Sequence, residues 1–312
     1  MFLTKYQQLY IFLINFFIIF LVFKILYSEA FEDFWESEQD ENDLKTITSH
    51  GQKAEIFEKW RICAQEHWMG IVDPEEFWTT FTTISAKCDE EAEISDLGLV
   101  AIENKDEEKH VILPKNDDSK NNLITLGIGR DATAEIRFKR KMKKLGKSVD
   151  FYGADPIIDQ NPEIYARIGK YFPFAVGSKP GYSVASVQVK NIYEEKSVVH
   201  VDIVYFIQEI LGLKKIDNLW MDAEFAEYGL FDIFLRDGIF DKNGIVVCQI
   251  NMEAHLNEID KNNENIEYQR KFMNFVKRLI SEGRFGIFRT GEAIHLRMYM
   301  FNFENTYCRD KY

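Results

Sequence analysis

The sequence predicts an α/β fold built on a mostly parallel sheet, and three observations carry the prediction. Strand and helix patterns alternate from residue 123 onward, which is the order of βαβ units. Residues 123–135 (LITLGIGRDATAE), 150–156 (DFYGADP) and 218–227 (NLWMDAEFAE) each read as a buried strand running into a turn or helix with small or acidic residues. The chain then closes on two consecutive strands, an antiparallel hairpin at the sheet's edge. Open α/β sheets bind ligands at the carboxyl ends of their strands, so these three turns are where function is expected.

The elements follow in order. Strand 123–127 meets helix 132–144 at Gly127 and Gly129, where backbone can approach a ligand closely or simply turn. Asp131 can cap that helix. Residues 137–147 (RFKRKMKKLGK) form the one basic run, read at helical spacing as a solvated face. Strand 149–154 ends on Asp155, about 25 residues past the glycines, near the spacing at which a carboxylate accepts from ribose hydroxyls in dinucleotide folds. Pro156 stops the strand, and Asn161-Pro162 starts helix 162–168. Strand 171–176 carries Ala175 near its end, followed by a strand near 183–190, helix 201–212 and strand 216–222. Helix 226–236, strand 245–251 and a helix near 266–282 lead to strands 284–289 and 295–303, joined by a tight turn at Thr290-Gly291-Glu292.

Acidic and imidazole side chains gather at the predicted strand ends. Asp222 and Glu224 follow strand 216–222, where either can act as a general base or bind a metal, and Glu227 can equally be a helix-start charge. Glu253 and His255 alternate onto one side after strand 245–251, so His255 can serve as a base or join Glu253 and Asp222 around a divalent ion. His295 and Arg297 alternate on the last strand and can hold an anionic group. No Cys/His spacing suggests zinc, and no metal is assigned.

Composition bounds the rest. A formal charge of −13 argues against nucleic acid as a partner, because affinity there comes from Lys and Arg. Residues 9–27 are apolar apart from Asn15 and Lys24, and about 19 residues approach the ~20 needed to span a bilayer. The expected division is a short cytoplasmic tail (1–8), a transmembrane signal-anchor (9–27) and an acidic stalk (28–52). A helical cap and linker (53–120) and a ligand-binding domain (121–312) follow. Ser28-Glu29-Ala30 also fits signal cleavage, which would make the chain secreted instead of a type II membrane protein of the secretory pathway. Of the four cysteines, Cys63 and Cys88 are the expected pair, and Cys248, inside the apolar IVVCQI, is read as packed.

The blocks LITLGIGRDATAE, DFYGADPIIDQNPEIYARIGKYFPFAVGSKPG, VVHVDIVYFIQEILGLKKIDNLWMDAEFAEYGLF and IVVCQINMEAH resemble, in that order, the FkbM-type methyltransferases. The likeness is to a branch of nematode proteins that carry a membrane segment ahead of the domain. It implies a Rossmann-like class I methyltransferase sheet and S-adenosylmethionine as cofactor. It also implies methyl transfer to an oxygen of a small-molecule or glycan acceptor. By the same resemblance Gly127, Gly129, Asp155 and Ala175 would contact the cofactor, and Asp222, Glu224 and His255 would be catalytic. Thr125, Asp131, Trp220 and Phe225 depart from the family pattern, so the alternative expectation is a catalytically inactive binding module on the same fold.

Overall fold

The computed structural model describes residues 50–312 except 106, 116–119, 190–191, 258–262 and 293–294. The expected tail, signal-anchor and most of the stalk lie outside the described residues. Among the described residues no helix is long and apolar enough to cross a membrane.

The described residues open with two helices, α1 (His50–Trp68) and α2 (Pro74–Glu91). The second starts as its sequence dictates: the Asp73 carboxylate accepts from Glu76 N–H, Pro74 fills the first turn, and Glu75 and Glu76 face the positive end of the helix dipole. Next come β1 (Leu99–Glu103), β2 (Glu108–Ile112), β3 (Asn121–Leu126), α3 (Thr133–Lys144) and β4 (Val149–Ala154). Helix α4 (Asn161–Tyr165), β5 (Lys170–Phe172), β6 (Ala175–Gly177), β7 (Gly181–Val189) and β8 (Ile192–Asp202) follow. The last elements are β9 (Lys215–Met221), β10 (Val246–Ala254), α5 (Asn265–Glu282), β11 (Phe285–Glu292), β12 (Leu296–Asn302) and α6 (Thr306–Lys311).

Seven strands form the central sheet in the order β11-β12-β10-β9-β3-β4-β5. The pairs from β10 to β5 are parallel, and β12 and β11 add the antiparallel edge. This is the mixed α/β arrangement, centred on a largely parallel sheet, that the sequence predicted. Alternate residues feed two cores. Ile124, Leu126, Leu219 and Met221 join Trp60, Trp68, Phe81 and Phe272 of α1, α2 and α5. Leu123, Phe151 and Trp220 join Phe138 of α3 and Val100 and Val111 of the β1–β2 hairpin. The expected cap and ligand-binding domain therefore share cores, and Thr48–Tyr312 is one compact unit.

Several expectations are corrected. Residues 53–120 hold the β1–β2 hairpin as well as helices, and α1 begins at His50, inside the expected stalk. Two side-chain amides hold β2 in place. Asn251 accepts from His110 N–H at 2.7 Å and donates to its carbonyl at 2.8 Å, and Gln249 does the same for Ile112 at 2.6 and 3.1 Å. These amides substitute for a neighbouring strand's backbone. Stretch 171–176 divides between the central sheet and a second, three-stranded sheet of order β6-β8-β7. The expected helix 201–212 starts only after Asp202, whose carboxylate accepts from Val204 and Tyr205 N–H. Thr290-Gly291-Glu292 is part of β11 and not a turn; Arg289 adopts φ 48° there and the register shifts. Cys248 is bonded to Cys308 of α6, which folds back on β10; Cys63 and Cys88 are bonded as expected.

Candidate functional site at the carboxyl edge

The edge begins at the loop after β3. Gly127 has φ +84°, and a Cβ there would lie 1.7 Å from the carbonyl oxygen of Asp222, so only glycine lets β3 and β9 end side by side. Gly129 has φ +60° and open space where a Cβ would stand. The loop is pinned from below by Asp155. One of its carboxylate oxygens accepts from Ile128 N–H (2.7 Å) and Gly129 N–H (3.1 Å), and the other from Ile157 N–H (2.6 Å). Burial raises the Asp155 carboxyl above its ordinary range, and these three amides oppose the rise.

Thr125 and Asp131, two departures from the family pattern, have structural partners. Thr125 donates to Glu135 at 2.8 Å and accepts from Tyr165 at 3.2 Å, and burial lifts Glu135 to about 7. Asp131 is not the expected cap, since Ala132 holds the N-cap position of α3; its carboxylate instead accepts from Thr133 N–H at 3.0 Å and Thr133 Oγ1 at 2.6 Å in the turn before the helix. Between this loop and Asp222 lies a cavity of about 40 Å³, also lined by Glu107, Lys109 and Trp220. Trp220 is buried against Phe138.

Asp222, Glu224 and His255 are brought together. His255 is 3% exposed, and its Nε2 lies 3.2 Å from Asp222 Oδ1 and 3.9 Å from Glu224 Oε2. Its Nδ1 lies 3.0 Å from Oε1 of Glu227, which is 0% exposed and also accepts from His255 N–H at 2.9 Å. Tyr228 donates to the His255 carbonyl at 2.6 Å. Two consecutive left-handed residues, Glu224 (φ 45°) and Phe225 (φ 73°), direct the chain so that the carboxylate faces the imidazole. The Phe225 ring packs on His255 and Tyr268, 5.8 and 5.1 Å between centroids, on the side of the aromatic core.

Burial opposes charge on His255, yet the hydrogen bonds to Asp222 and Glu227 outweigh it and raise its pKa well above the ordinary imidazole. For Asp222 the order is reversed: burial pushes the carboxyl up, but the His255 partner holds it low. Asp222 and Glu227 thus favour the charged form of His255 and are the acceptors beside it. Glu253 is raised by burial and by the Asp222 charge, and it pairs with Arg297 at 3.0 Å. The His295 ring lies against His255, tilted 43° with centroids 4.4 Å apart, accepts from Leu256 N–H through Nδ1, and is lowered to about 4 by burial and the His255 charge.

Ala175 lies apart from this group, in β6 of the second sheet opposite His200. Glu227, which the sequence leaves open as a helix-start charge, is the buried partner that orients His255. Its signal was its place five residues after Asp222 in the same acidic block.

A family model described as the methyltransferase FkbM domain matches residues 63–305. The chain belongs to that family. The matched span takes in the FkbM domain's whole carboxyl edge, from the glycine loop to His255, together with both disulfides apart from Cys308. No curated protein matches. Among solved structures, the CMeT domain of the citrinin polyketide synthase is similar at 9% identity and a TM-score of 0.30, over 60% of this chain and 48% of that one. The chain spans about half the length of that domain's solved structure.

Proposed function

We propose that this FkbM domain binds S-adenosylmethionine and transfers its methyl group to a hydroxyl oxygen of a small-molecule or glycan acceptor. The observation that carries the reading is the edge itself: the glycine loop abuts Asp222 at Gly127 and is open at Gly129, and a buried imidazole lies beside the Asp222 and Glu224 carboxylates. When bound, the cofactor supplies an electrophilic methyl on a sulfonium. The cavity between Gly127 and the polar wall of Thr125, Asp131 and Asp222 would hold its amino-acid end. Positioning supplies much of the rate in such a displacement. Asp222 or Glu224 accepts the hydroxyl proton, and His255, held by Glu227, keeps Asp222 ionised until then.

Asp155 already gives three acceptor positions to backbone amides, leaving one on Oδ1 for a ribose hydroxyl, and the present cavity of about 40 Å³ is small beside the ~300 Å³ of ordinary ligand pockets. Those two observations favour the second reading, a binding module that kept the fold. We further propose a type II, membrane-anchored protein of the nematode branch, its domain in the lumen of the secretory pathway. Two disulfides and no free cysteine among the described residues support an oxidising compartment.

The test is calorimetric titration of the full-length chain with S-adenosylmethionine and with its demethylated product. Saturable binding of both supports the transferase. Absence of heat from a folded sample removes it and leaves the binding module.

A further inference from the structure

Three groups of side chains in the described residues gather three potential ligand atoms within 4.8 Å of one another: Cys63-His67-Glu91, Glu253-His255-His295 and Asp222-Glu224-His255. The first is ruled out as a site because Cys63 is in a disulfide. The second fails on its partners. Glu253 is held by Arg297, and His295 Nδ1 already accepts from Leu256 N–H, so the neutral ring carries its proton on Nε2. In the third, Nε2 shares a proton with Asp222 at 3.2 Å, and a cation would bind by displacing that proton while Glu227 keeps its hold on Nδ1.

We propose that Asp222, Glu224 and His255 Nε2 form a site for one divalent cation of the Mn²⁺ class at the mouth of the carboxyl edge. Ligand atoms sit about 2.1 Å from such an ion, so donors on opposite sides lie about 4.2 Å apart. The observed separations of 3.2 and 3.9 Å from His255 Nε2 are within that span. Two carboxylate oxygens and one imidazole are the donor set of a hard-to-borderline ion, with remaining positions left for water or an acceptor oxygen.

An independent feature is Glu227. It is fully buried, one oxygen bonds His255 Nδ1, and the other, Oε2, has no hydrogen-bond partner. A carboxylate behind the far nitrogen of a histidine fixes the tautomer that presents the other nitrogen to a metal. Three carboxylates, Asp222, Glu224 and Glu227, converge on the imidazole, and Lys109 and Arg297, paired with Glu107 and Glu253, lie close enough to lower Asp222 as well. A cation bound there would also polarise an acceptor hydroxyl next to the methyl donor. The site rests on this geometry alone and does not depend on methyl transfer.

The experiment is titration of the full-length chain with Mn²⁺ alone, following loss of the free-ion electron paramagnetic resonance signal, with circular dichroism as the folding control. One ion per chain is expected, with affinity falling at least tenfold in Glu224→Gln and about 10–100-fold in Glu227→Gln. Because Glu224 is partly exposed, its variant keeps the fold, and Mn²⁺ should raise the melting temperature of the parent chain but not of Glu224→Gln. Absence of stoichiometric binding, or binding unchanged in Glu224→Gln, overturns the site. Neither cofactor nor acceptor is present in the titration, so its failure leaves the transferase reading standing, and the reverse also holds.

Discussion

Cutting the Cys248–Cys308 bond should cost this domain a large share of its stability. The bond closes a loop of 60 residues between β10 and the C-terminal helix α6. In the chain-entropy treatment, −2.1 − 1.5R ln n gives about 14 cal/mol/K, or about 4 kcal/mol at 25 °C. Domains of this kind hold about 5–15 kcal/mol in all. Helix α6 has other ties: Lys311 Nζ lies 2.7 Å from Asp217, the Tyr312 hydroxyl 3.2 Å from the same carboxylate, and Lys53 donates to the Tyr312 carbonyl at 2.7 Å. The double variant Cys248→Ala/Cys308→Ala should therefore remain folded while its melting temperature drops roughly 8–16 °C. Urea unfolding read by tryptophan fluorescence measures the free energy directly. A loss below about 1 kcal/mol would refute the reasoning, because it would mean that the unfolded chain gains little freedom from that loop.

Other outcomes follow from single sites. Burial raises Asp89 from its ordinary 3.8 to about 6, so the folded state holds a proton that the unfolded chain releases, and stability should fall as pH rises from 3.8 to 6. Asp89→Asn should remove that slope and add up to about 3 kcal/mol at pH 7 but nothing near pH 3, as chemical denaturation at both pH values will show. Gly127→Ala should cost more than ~2 kcal/mol, since its Cβ meets the Asp222 carbonyl, whereas Gly129→Ala should cost only the ~1–2 kcal/mol of a left-handed alanine. Equal losses at the two positions would contradict the proposed strand contact. Glu227→Ala leaves a buried imidazolium short of one partner and should destabilise by about 3–5 kcal/mol, with the His255 pKa falling in a nuclear magnetic resonance titration.

The parallel strands were legible because they are buried on both faces and read as largely apolar runs, as in Leu123–Leu126, interrupted only by Thr125, and Leu219–Met221. The glycine turn and the acids beyond β9 were legible for a similar reason, since their residue types are local. The β1–β2 hairpin was not, because what pins it is Gln249 and Asn251, more than a hundred residues away in sequence. Cys248 looked like an ordinary apolar-strand residue until α6 brought Cys308 beside it. Asp155 shows the same boundary in the site. Its position at a strand end was readable, but sequence does not say whether its oxygens bond ribose or the loop amides of Ile128 and Gly129. Glu227 was ambiguous because burial, which separates an orienting carboxylate from a solvated helix charge, is a tertiary property.

The missing side chain at Gly127 has a mechanical consequence. With nothing between it and the Asp222 carbonyl, and with Asp222 N–H bonded to Leu126 O at 2.9 Å, the loop and the strand end that carries Asp222 form one rigid hinge plate. A molecule that tilts the loop must tilt Asp222, and through it the imidazole 3.2 Å away. A ligand at the glycine side and a change of charge at the histidine side therefore act on the same residue, Asp222.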